Sequence, residues 1–171
     1  MEKIAAYTLR PVQEEDEEFL REVYSSTRVD ELAPLGWSAD QQAAFLMQQF
    51  NAQHQYYHAN YADADFQIIL VNGQPGGRLY VDRRADEIRI IDIALLPEYR
   101  RAGVGSRLLR DLLDEAAAGD KPVRIHVEKF NPALRLYQRL GFSIVDDRGV
   151  YWFMEWLSPD ARTSPDAPVI I

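Results

Sequence analysis

A chain of 171 residues with 47% hydrophobic content is long enough for one domain with a sizeable core. Its 19 basic residues are outnumbered by 27 acidic ones, and the formal net charge of −8 argues against a general binder of nucleic acid or of anionic membranes. The chain contains no cysteine, which excludes disulfides, a thiolate nucleophile and cysteine-ligated metal sites.

The first third of the chain predicts one strand and two helices. Residues 7–10 have the pattern of a short strand, and the acidic run 14–18 suits the start of a helix, where the helix dipole favours carboxylates. A loop broken by a proline and a glycine is expected over 28–37, and it is a candidate lip of a substrate site. A second helix is predicted from about Ala39 to His58, with its N-cap near Ser38.

The middle of the chain predicts a hairpin, a long strand and a helix. Residues 66–71 and 78–81 read as strands joined through an Asn-Gly and a Gly-Gly pair, which is typical of a hairpin. The long strand covers 87–96, and the helix after it begins at about Ser106 and ends near Gly119. That helix is expected to bury an apolar stripe made of Val104, Leu108, Leu109, Leu112, Leu113 and Ala116.

The last predicted elements are a buried strand, a short helix and an antiparallel pair. The strand covers 123–127, and the helix has Asn131 as its expected N-cap and Gly141 at C′. The closing pair covers 142–145 and 150–156. Strands interleaved with helices and followed by closing strands predict a mixed α/β sheet.

The expected domain covers residues 1–157. Residues 158–171 are rich in Pro, Ser, Asp and Ala and are expected to form a flexible or surface-docked tail. The sequence has no signal-peptide pattern and no run that approaches the roughly 18 apolar residues of a membrane span. We therefore expect a cytoplasmic protein that does not engage a membrane.

A glycine-containing run, Arg100-Arg101-Ala102-Gly103-Val104-Gly105, connects the long strand to the helix that follows it. Its glycines allow a tight turn, so that consecutive backbone N–H groups at a helix start can converge on phosphate oxygens. A dinucleotide fingerprint needs a third glycine where Leu108 stands, and a Walker loop needs Gly-Lys-Ser/Thr where the chain has Gly105-Ser106-Arg107. The run therefore indicates a different phosphate-bearing ligand.

A second block lies downstream, from His126 to Phe142, and contains Asn131, Ala133, Leu136-Tyr137 and Gly141-Phe142. Together the two blocks resemble the GNAT family of N-acetyltransferases, and the resemblance covers roughly Gly76 to Trp156. It implies a mixed, largely antiparallel central sheet flanked by helices on both faces, and acetyl-coenzyme A as co-substrate. It also allows a homodimer, because dimers are common in that family.

The resemblance assigns coenzyme A to backbone groups of the strand and of the loop. The strand positions that match the pantetheine contact are Ile93, Ala94 and Leu95. Arg100 flanks the pyrophosphate, and Asn131 adds a hydrogen bond. The amides implied to hold the pyrophosphate are those of Arg101, Ala102, Gly103, Val104, Gly105 and Ser106.

Tyr137 matches the position at which the family carries a general acid, and it also lies on an amphipathic helix stripe where packing alone would explain an aromatic residue. A tyrosine of ordinary pKa near 10 can protonate a thiolate whose conjugate acid has a pKa of about 8.5 at a modest uphill cost. The attacking amine must lose a proton first, because an ammonium of pKa about 10.4 has no lone pair.

Two residues are candidates for the base, and the sequence leaves the choice open. His126 stands where relatives commonly have a glutamate, and imidazole suits base work near neutral pH, although a hydrogen-bonded structural histidine is an equal alternative. Asp92 lies in an apolar run where an unpaired carboxylate is costly to bury. It is either a base or amine anchor, or it pairs with a neighbour such as Arg89 or Arg124.

The sequence thus predicts an N-acetyltransferase that moves acetyl from acetyl-coenzyme A to a primary amine of a small molecule or protein in a ternary complex. The absence of cysteine fits direct attack, since no cysteine acyl-enzyme can form. The alternative is a catalytically inactive module that binds or senses coenzyme A. No metal is expected, because His54 and His58, although spaced i, i+4, lack a carboxylate motif to complete a zinc site.

Overall fold

The computed structural model describes residues 6–162 of the chain. Within that range it contains seven strands and six α-helices. In chain order these are β1 (Tyr7–Pro11), α1 (Glu17–Ser26), α2 (Val29–Leu32), α3 (Ala39–Asn60), β2 (Asp65–Val71), β3 (Gln74–Arg83), β4 (Ile88–Leu95), α4 (Val104–Ala118), β5 (Val123–Glu128), α5 (Leu134–Arg139), β6 (Ser143–Arg148), β7 (Tyr151–Trp156) and α6 (Pro159–Arg162).

The strands form one sheet in the order β1-β2-β3-β4-β5-β7-β6. β1 pairs antiparallel with β2, and β7 pairs antiparallel with both β5 and β6. β4 and β5 are parallel, which requires the long crossover that α4 supplies between them. The predicted fold, a mixed and largely antiparallel sheet flanked by helices, is confirmed.

The described residues divide into two compact units. The first contains the chain up to Tyr80 together with Asp92–Val104, and its core includes side chains of α1, α3, β2 and β3. The rings of Tyr24 and Phe50 lie 6.1 Å apart in that core. Its most deeply buried members are Leu20, Val23, Phe50, Ile68, Ile69, Leu79 and Tyr80.

The second unit contains Val81–Ile91 and the residues from Gly105 onward. Its core comes from the apolar face of α4 and from the inward rows of β5 and β7, where Ile125 stands opposite Met154. The predicted stripe of α4 is confirmed, since Val104, Leu108, Leu109, Leu112, Leu113 and Ala116 are all buried.

The β2–β3 hairpin is confirmed with one correction. Its turn is Asn72-Gly73, with φ of 50° and 82°, as expected for a two-residue turn that needs positive φ at both positions. Gly76 and Gly77 belong to β3 and not to the turn. The reason is steric, because a Cβ at Gly77 would collide with the carbonyl oxygen of Ala94 in β4.

Two further predictions are corrected. The segment 28–37 is not an open loop, because it contains α2 and a 3₁₀ turn at Ala33–Leu35, which allows Leu32 to be buried. The N-cap of α5 is Ala133, and the side chain of Asn131 instead accepts a hydrogen bond from the Ala133 amide at 2.9 Å in the preceding turn. Gly141 follows the C-cap with φ of 103°, as predicted.

The expected boundary between domain and tail stays a prediction. Of the residues assigned to the tail, Pro159–Arg162 form a helical turn in which the guanidinium of Arg162 donates to the carbonyl of Gly141 at 3.1 Å. Residues 163–171 lie outside the described part of the chain.

Candidate functional site

The C-terminal half of β4 extends past the end of its ladder with β5. That ladder joins three residue pairs and ends at Ile90 and Ile125, whereas β4 continues to Leu95. Ile93, Ala94 and Leu95 are half-buried there. Because a strand presents peptide groups to both sides, peptide groups of this segment on the side away from β3 can pair with an extended ligand that carries amides.

On its other side this segment lies close to β3. The amide of Leu96 donates to the carbonyl of Gly76 at 2.8 Å, and the backbone of Gly77 approaches Ala94 so closely that only glycine fits. Two consecutive glycines in a strand interior normally weaken it. Here they let the backbone of β3 support β4 where the candidate ligand-binding positions lie.

The segment between β4 and α4 contains two residues in the left-handed region shortly before a helix begins. Arg101 and Gly103 have positive φ, 65° and 81°, and α4 begins at Val104. Left-handed residues placed beside right-handed ones turn successive N–H groups to the same side, and the first turn of a 15-residue helix adds further N–H groups. Arg100, Arg101 and Ala102 are exposed, and Gly103, Gly105 and Ser106 are half-buried.

Arg101 adopts a conformation that glycine reaches at lower cost. A non-glycine residue in the left-handed region is strained by roughly 1 kcal/mol or more. Arg100, its neighbour, is held by its side chain: Nε donates to the carbonyl of Leu95 at 2.9 Å and Nη2 lies 3.5 Å from the hydroxyl of Ser26. The Arg100 side chain thus ties the start of the loop to the end of β4.

Asp92 is bound by residues that the sequence did not single out. Its Oδ2 accepts a hydrogen bond from Nη2 of Arg78 at 2.6 Å and another from the hydroxyl of Tyr57 at 3.1 Å. The same Arg78 nitrogen donates to Oε1 of Gln53 at 2.8 Å. The expected pairing of Asp92 with a cation is therefore present, but the partner is Arg78 and not Arg89 or Arg124.

Arg89 and Arg124 bind Glu87 instead. Oε1 of Glu87 accepts from Arg84 and Arg89, each at 2.8 Å, and Oε2 accepts from Arg124 at 2.7 Å. Burial by itself would raise the pKa of the Glu87 carboxyl, but the hydrogen bond from Arg124 and the three positive charges outweigh burial and hold it below its usual value. Arg124 also bonds Glu155 at 2.8 Å, so this cluster is structural.

His126 lies on β5 in the second unit, beside an arginine. Its Nε2 is 2.9 Å from Nη1 of Arg148, and its ring centroid is 4.8 Å from that of Phe153. Since arginine can only donate, Nε2 is the acceptor and Nδ1 carries the ring proton. Burial first, and then the charges of Arg148 and Arg89, lower the pKa of His126, so the imidazole is neutral at neutral pH.

Tyr137 is buried in α5, with 4% of its surface exposed. Its ring meets that of Phe142 edge-on, with centroids 5.6 Å apart, and its carbonyl accepts from the Phe142 amide at 3.0 Å. Asn131, in the segment before α5, is exposed. Tyr137, Asn131 and His126 all belong to the second unit.

The structure thus places the predicted residues in both units. Asp92, Ile93–Leu95 and the loop through Val104 belong to the first, and Gly105, Ser106, His126, Asn131 and Tyr137 belong to the second. Sequence reasoning missed Arg78, Tyr57 and Gln53, the residues that hold Asp92. The cation in the apolar run Arg78-Leu79-Tyr80-Val81 was the available signal, since a charge in a buried strand requires a partner.

Two general features complete the description of residues 6–162. Among them, no group of three or more His, Cys, Asp or Glu side chains could hold a metal ion, although the rings of His54 and His58 lie 4.4 Å apart. No helix in the same range combines the length and the apolar character needed to cross a bilayer.

A sequence model of the acetyltransferase (GNAT) family matches residues 18–142. That match spans the strand, the loop and both sequence blocks described above. The chain therefore belongs to the GNAT family of acetyltransferases.

Similar proteins include an N-acetyltransferase and a binding protein. The chain is 32% identical over 85 residues to the [ribosomal protein bS18]-alanine N-acetyltransferase of Haemophilus influenzae, covering 49% of this chain and 58% of that protein. It is 35% identical over 81 residues to the mouse cysteine-rich protein 2-binding protein, covering 46% of this chain and 10% of that protein. The chain thus spans only part of the length of these relatives.

Solved structures share the fold across most of the chain. A PaiA N-acetyltransferase of Thermoplasma acidophilum in complex with coenzyme A gives a TM-score of 0.67 at 19% identity, covering 90% of this chain and 99% of that one. The ribosomal-protein-S18-alanine N-acetyltransferase of Escherichia coli gives a TM-score of 0.57 at 20% identity, covering 89% and 94%.

Proposed function

We propose that the protein is an N-acetyltransferase that transfers acetyl from acetyl-coenzyme A directly to a primary amine of a small molecule or protein. The observation that carries the proposal is the conjunction of a β4 edge that extends past its ladder with a loop of left-handed residues leading into α4. Membership of the GNAT family supports the same donor.

Two backbone segments, the end of β4 and the loop before α4, fit acetyl-coenzyme A. Peptide groups of Ile93, Ala94 and Leu95 that face away from β3 would pair with the amides of the pantetheine arm as an added strand does, through main-chain hydrogen bonds. The Leu95 carbonyl would exchange its bond from Arg100 if the arm pairs with it. The amides of residues 101–106 would hold the pyrophosphate, aided by the helix dipole of α4. The guanidinium groups of Arg100 and Arg101 are exposed and available to phosphate oxygens, and Asn131 would add a further hydrogen bond.

The reaction needs one bond formed and one broken. The neutral amine attacks the thioester carbonyl, a C–N bond forms, and the C–S bond breaks to release the coenzyme A thiolate. A main-chain amide of β4 would polarise the carbonyl, and Tyr137 would donate its hydroxyl proton to the thiolate. Because both substrates are bound together, no acyl-enzyme is required.

The proton of the acceptor amine would pass to His126, directly or through water. His126 has the protonation state that a base needs, because its pKa is lowered and the ring is neutral. Its Nε2 lone pair accepts a hydrogen bond from Arg148, which is exposed at the surface. Arg148 must therefore turn away, or exchange with the substrate, as the proton is taken.

A relative suggests which acceptor amines to assay first. The Haemophilus influenzae relative is named for acetylation of an alanine of ribosomal protein bS18. A peptide with a free α-amine therefore belongs in the acceptor panel beside small primary amines and lysine peptides.

The test is acetyl-coenzyme A turnover across that panel, comparing the native chain with Tyr137→Phe. We expect kcat to fall at least about 100-fold in the variant, the scale of a lost general acid, with unchanged affinity for coenzyme A. Tyr7→Phe, in β1, is the matched control and should retain full activity. Coenzyme A binding without turnover of any acceptor would instead indicate an inactive binding or sensing module.

A further inference from the structure

Four residues from three elements of the first unit converge on the start of the proposed donor-binding segment. Asp92 is the first residue of that segment of β4, Arg78 comes from β3, and Tyr57 and Gln53 come from α3. Arg78 Nη2 lies 2.6 Å from Asp92 Oδ2 and 2.8 Å from Gln53 Oε1. We refer to the Arg78 and Asp92 side chains as the β3–β4 bridge.

The β3–β4 bridge is buried. The Arg78 side chain is 4% exposed and that of Asp92 is 16% exposed. The guanidinium also lies over the ring of Tyr80, 5.1 Å from its centroid, and its Nε is buried with no hydrogen-bond partner. Burying a cation with an unsatisfied hydrogen-bond donor costs folding free energy, so a role for Arg78 that offsets this cost is expected.

The charge of the pair is fixed. Arginine is not deprotonated in proteins, and burying it without a counter-ion is strongly unfavourable. Burial by itself would lower the pKa of Arg78, but the negative charge of Asp92, the Tyr80 and Tyr57 side chains and the hydrogen bond to Asp92 together outweigh burial and raise it. Asp92 therefore serves as the counter-ion of Arg78 in the folded protein.

The ion pair with Arg78 conflicts with proton transfer to Asp92. A carboxylate that takes a proton from an ammonium becomes neutral, which would leave the buried Arg78 unpaired. The same oxygen, Oδ2, accepts both the Arg78 and the Tyr57 hydrogen bonds. Taking up the amine proton at Asp92 would disrupt both contacts in every turnover.

The position of the bridge gives it another role. Gly77, the residue before Arg78, is where β3 approaches Ala94 most closely, and Leu96 is bonded to Gly76. Backbone contacts thus fix β4 at Ala94 and Leu96, and the side-chain pair fixes it at Asp92. Between these points lie Ile93 to Leu95, the peptide groups proposed to meet the pantetheine arm and the thioester.

We propose that Arg78 and Asp92 are positioning residues, whose ion pair sets the geometry of β4 for the thioester, and that Asp92 does not act as the base. This inference rests on the proposed function. It moves base catalysis away from Asp92, the one carboxylate of β4, and makes turnover depend on a residue of β3 that touches neither substrate.

The experiment is a double-mutant cycle with Arg78→Met, Asp92→Asn and the combined variant. If the bridge positions β4, each single change leaves a buried group unpaired and should lower kcat at least about 10-fold. Because either single change already removes the ion pair, the combined variant should lose no more kcat than the less active single variant, so that the two losses do not multiply. The pH at which kcat/KM falls on the acid side should be the same in the combined variant as in wild type.

A matched control is an exposed ion pair between Arg83, also on β3, and Glu115 of α4, whose Nε and Oε2 lie 2.7 Å apart. Arg83→Met, Glu115→Gln and their combination should leave kcat unchanged, because exposed pairs contribute little. Should a single bridge variant fail to fold, the combined variant and Arg78→Lys still decide the matter, since Arg78→Lys keeps the charge and should retain most of the activity.

Two results would overturn the inference. If Asp92→Asn loses far more kcat than Arg78→Met and the acid-side fall of kcat/KM disappears in the combined variant, Asp92 takes part in the chemistry itself. If all variants lose stability but keep wild-type kcat, the bridge is only structural. If the wild-type chain turns over no amine, the proposed function fails, and calorimetric titration of the same variants with coenzyme A tests the bridge separately: affinity should fall in the single variants and fall no further in the combined one.

Discussion

At the scale of single residues, the chemistry depends on which groups are neutral and which are paired. His126 is kept neutral by burial and by two nearby arginines. Asp92 is instead bound in an ion pair with one buried arginine. Neighbouring arginines thus leave His126 neutral and able to accept a proton. At Asp92, an arginine instead binds the carboxylate that would have to accept one. This is the physical reason for proposing His126 as the base.

The neutral state of His126 predicts how stability depends on pH. The folded protein lowers the pKa of this imidazole below the roughly 6.5 of an unfolded chain. Below pH 6.5 the unfolded state therefore binds the proton more readily, so the stabilising contribution is complete above pH 6.5 and is lost as the pH falls through the lower, folded pKa.

Urea unfolding of wild type and His126→Gln between pH 8 and pH 5 tests this sign. The wild type should lose more stability on acidification than the variant does. His54, whose pKa is also lowered by burial and by His58, is present in both proteins and cancels in the difference. An equal loss of stability in the two proteins would contradict the assignment.

The sequence motifs were enough to name candidate site residues, but they did not predict which side chains bind those residues. The sequence placed Asp92 in a run where it needed a cation, but it offered Arg89 and Arg124 as the nearest candidates. Arg78 is the partner because β3 and β4 are neighbours in the sheet and Arg78 lies within hydrogen-bonding distance of Asp92, and Glu87 binds the other two arginines. Side-chain partners across a sheet depend on strand order and register, which hydrophobic pattern does not supply.

At the scale of elements, the contact between β3 and β4 is the feature most sensitive to added volume. In Gly77→Ala the new methyl group would collide with a backbone oxygen of β4, which cannot move without shifting the strand. We expect a loss of at least about 1–3 kcal/mol in the free energy of unfolding, the usual cost of overpacking, and weaker binding of coenzyme A.

Gly119→Ala is the matched control for that substitution. A Cβ there would lie 3.6 Å from the nearest atom, the carbonyl oxygen of Glu115, which is an ordinary contact. Its stability should stay within about 0.5 kcal/mol of wild type by chemical denaturation. Equal effects of the two substitutions would show that the close approach of β3 to β4 is not what Gly77 provides.

The long helix α3 carries its own test. Its 22 residues begin with a capping box, in which the Ser38 hydroxyl accepts from the Gln41 amide at 3.2 Å and the Gln41 side chain accepts from the Ser38 amide at 2.9 Å. Ser38→Ala should lower the free energy of unfolding by about 1 kcal/mol, and Ser38→Asp should preserve it. Thermal unfolding of the three proteins gives the comparison, and an unaffected Ser38→Ala would contradict a role for the cap.

Elements whose ends are marked by capping or turn residues were predicted well, and short irregular elements were not. Ser38 marked the start of α3, and Asn72-Gly73 marked the hairpin turn, because each residue type satisfies a local backbone requirement. The segment 28–37 was predicted as a loop because Pro34 and Gly36 interrupt it. Its helical turns form to bury Leu32, a tertiary contact that local propensity does not contain.

At the scale of the whole molecule, the fold was predictable because two sequence blocks specify its middle and its end. The order strand, loop, helix, strand between Ile88 and Glu128 requires a parallel pair with a crossover, and the structure contains it. The position of β7 between β5 and β6 was not specified, since sequential strands usually lie side by side.

The net charge of −8 constrains how this chain can bind a polyanion. Long-range electrostatics disfavours approach of coenzyme A, so affinity must come from donors in direct contact with its phosphates. We propose that these donors are the amides of the loop and of the first turn of α4, next to the left-handed residues Arg101 and Gly103.

Calorimetric titration of coenzyme A into the wild type and into Gly103→Ala tests this claim most directly. Gly149→Ala, in the β6–β7 turn with φ of 75°, is the control that introduces the same kind of backbone strain elsewhere. We predict one saturable site in the wild type, an affinity at least about 10-fold weaker in Gly103→Ala, and wild-type affinity in Gly149→Ala. Absence of binding heat in the wild type, or full affinity in Gly103→Ala, would contradict the account.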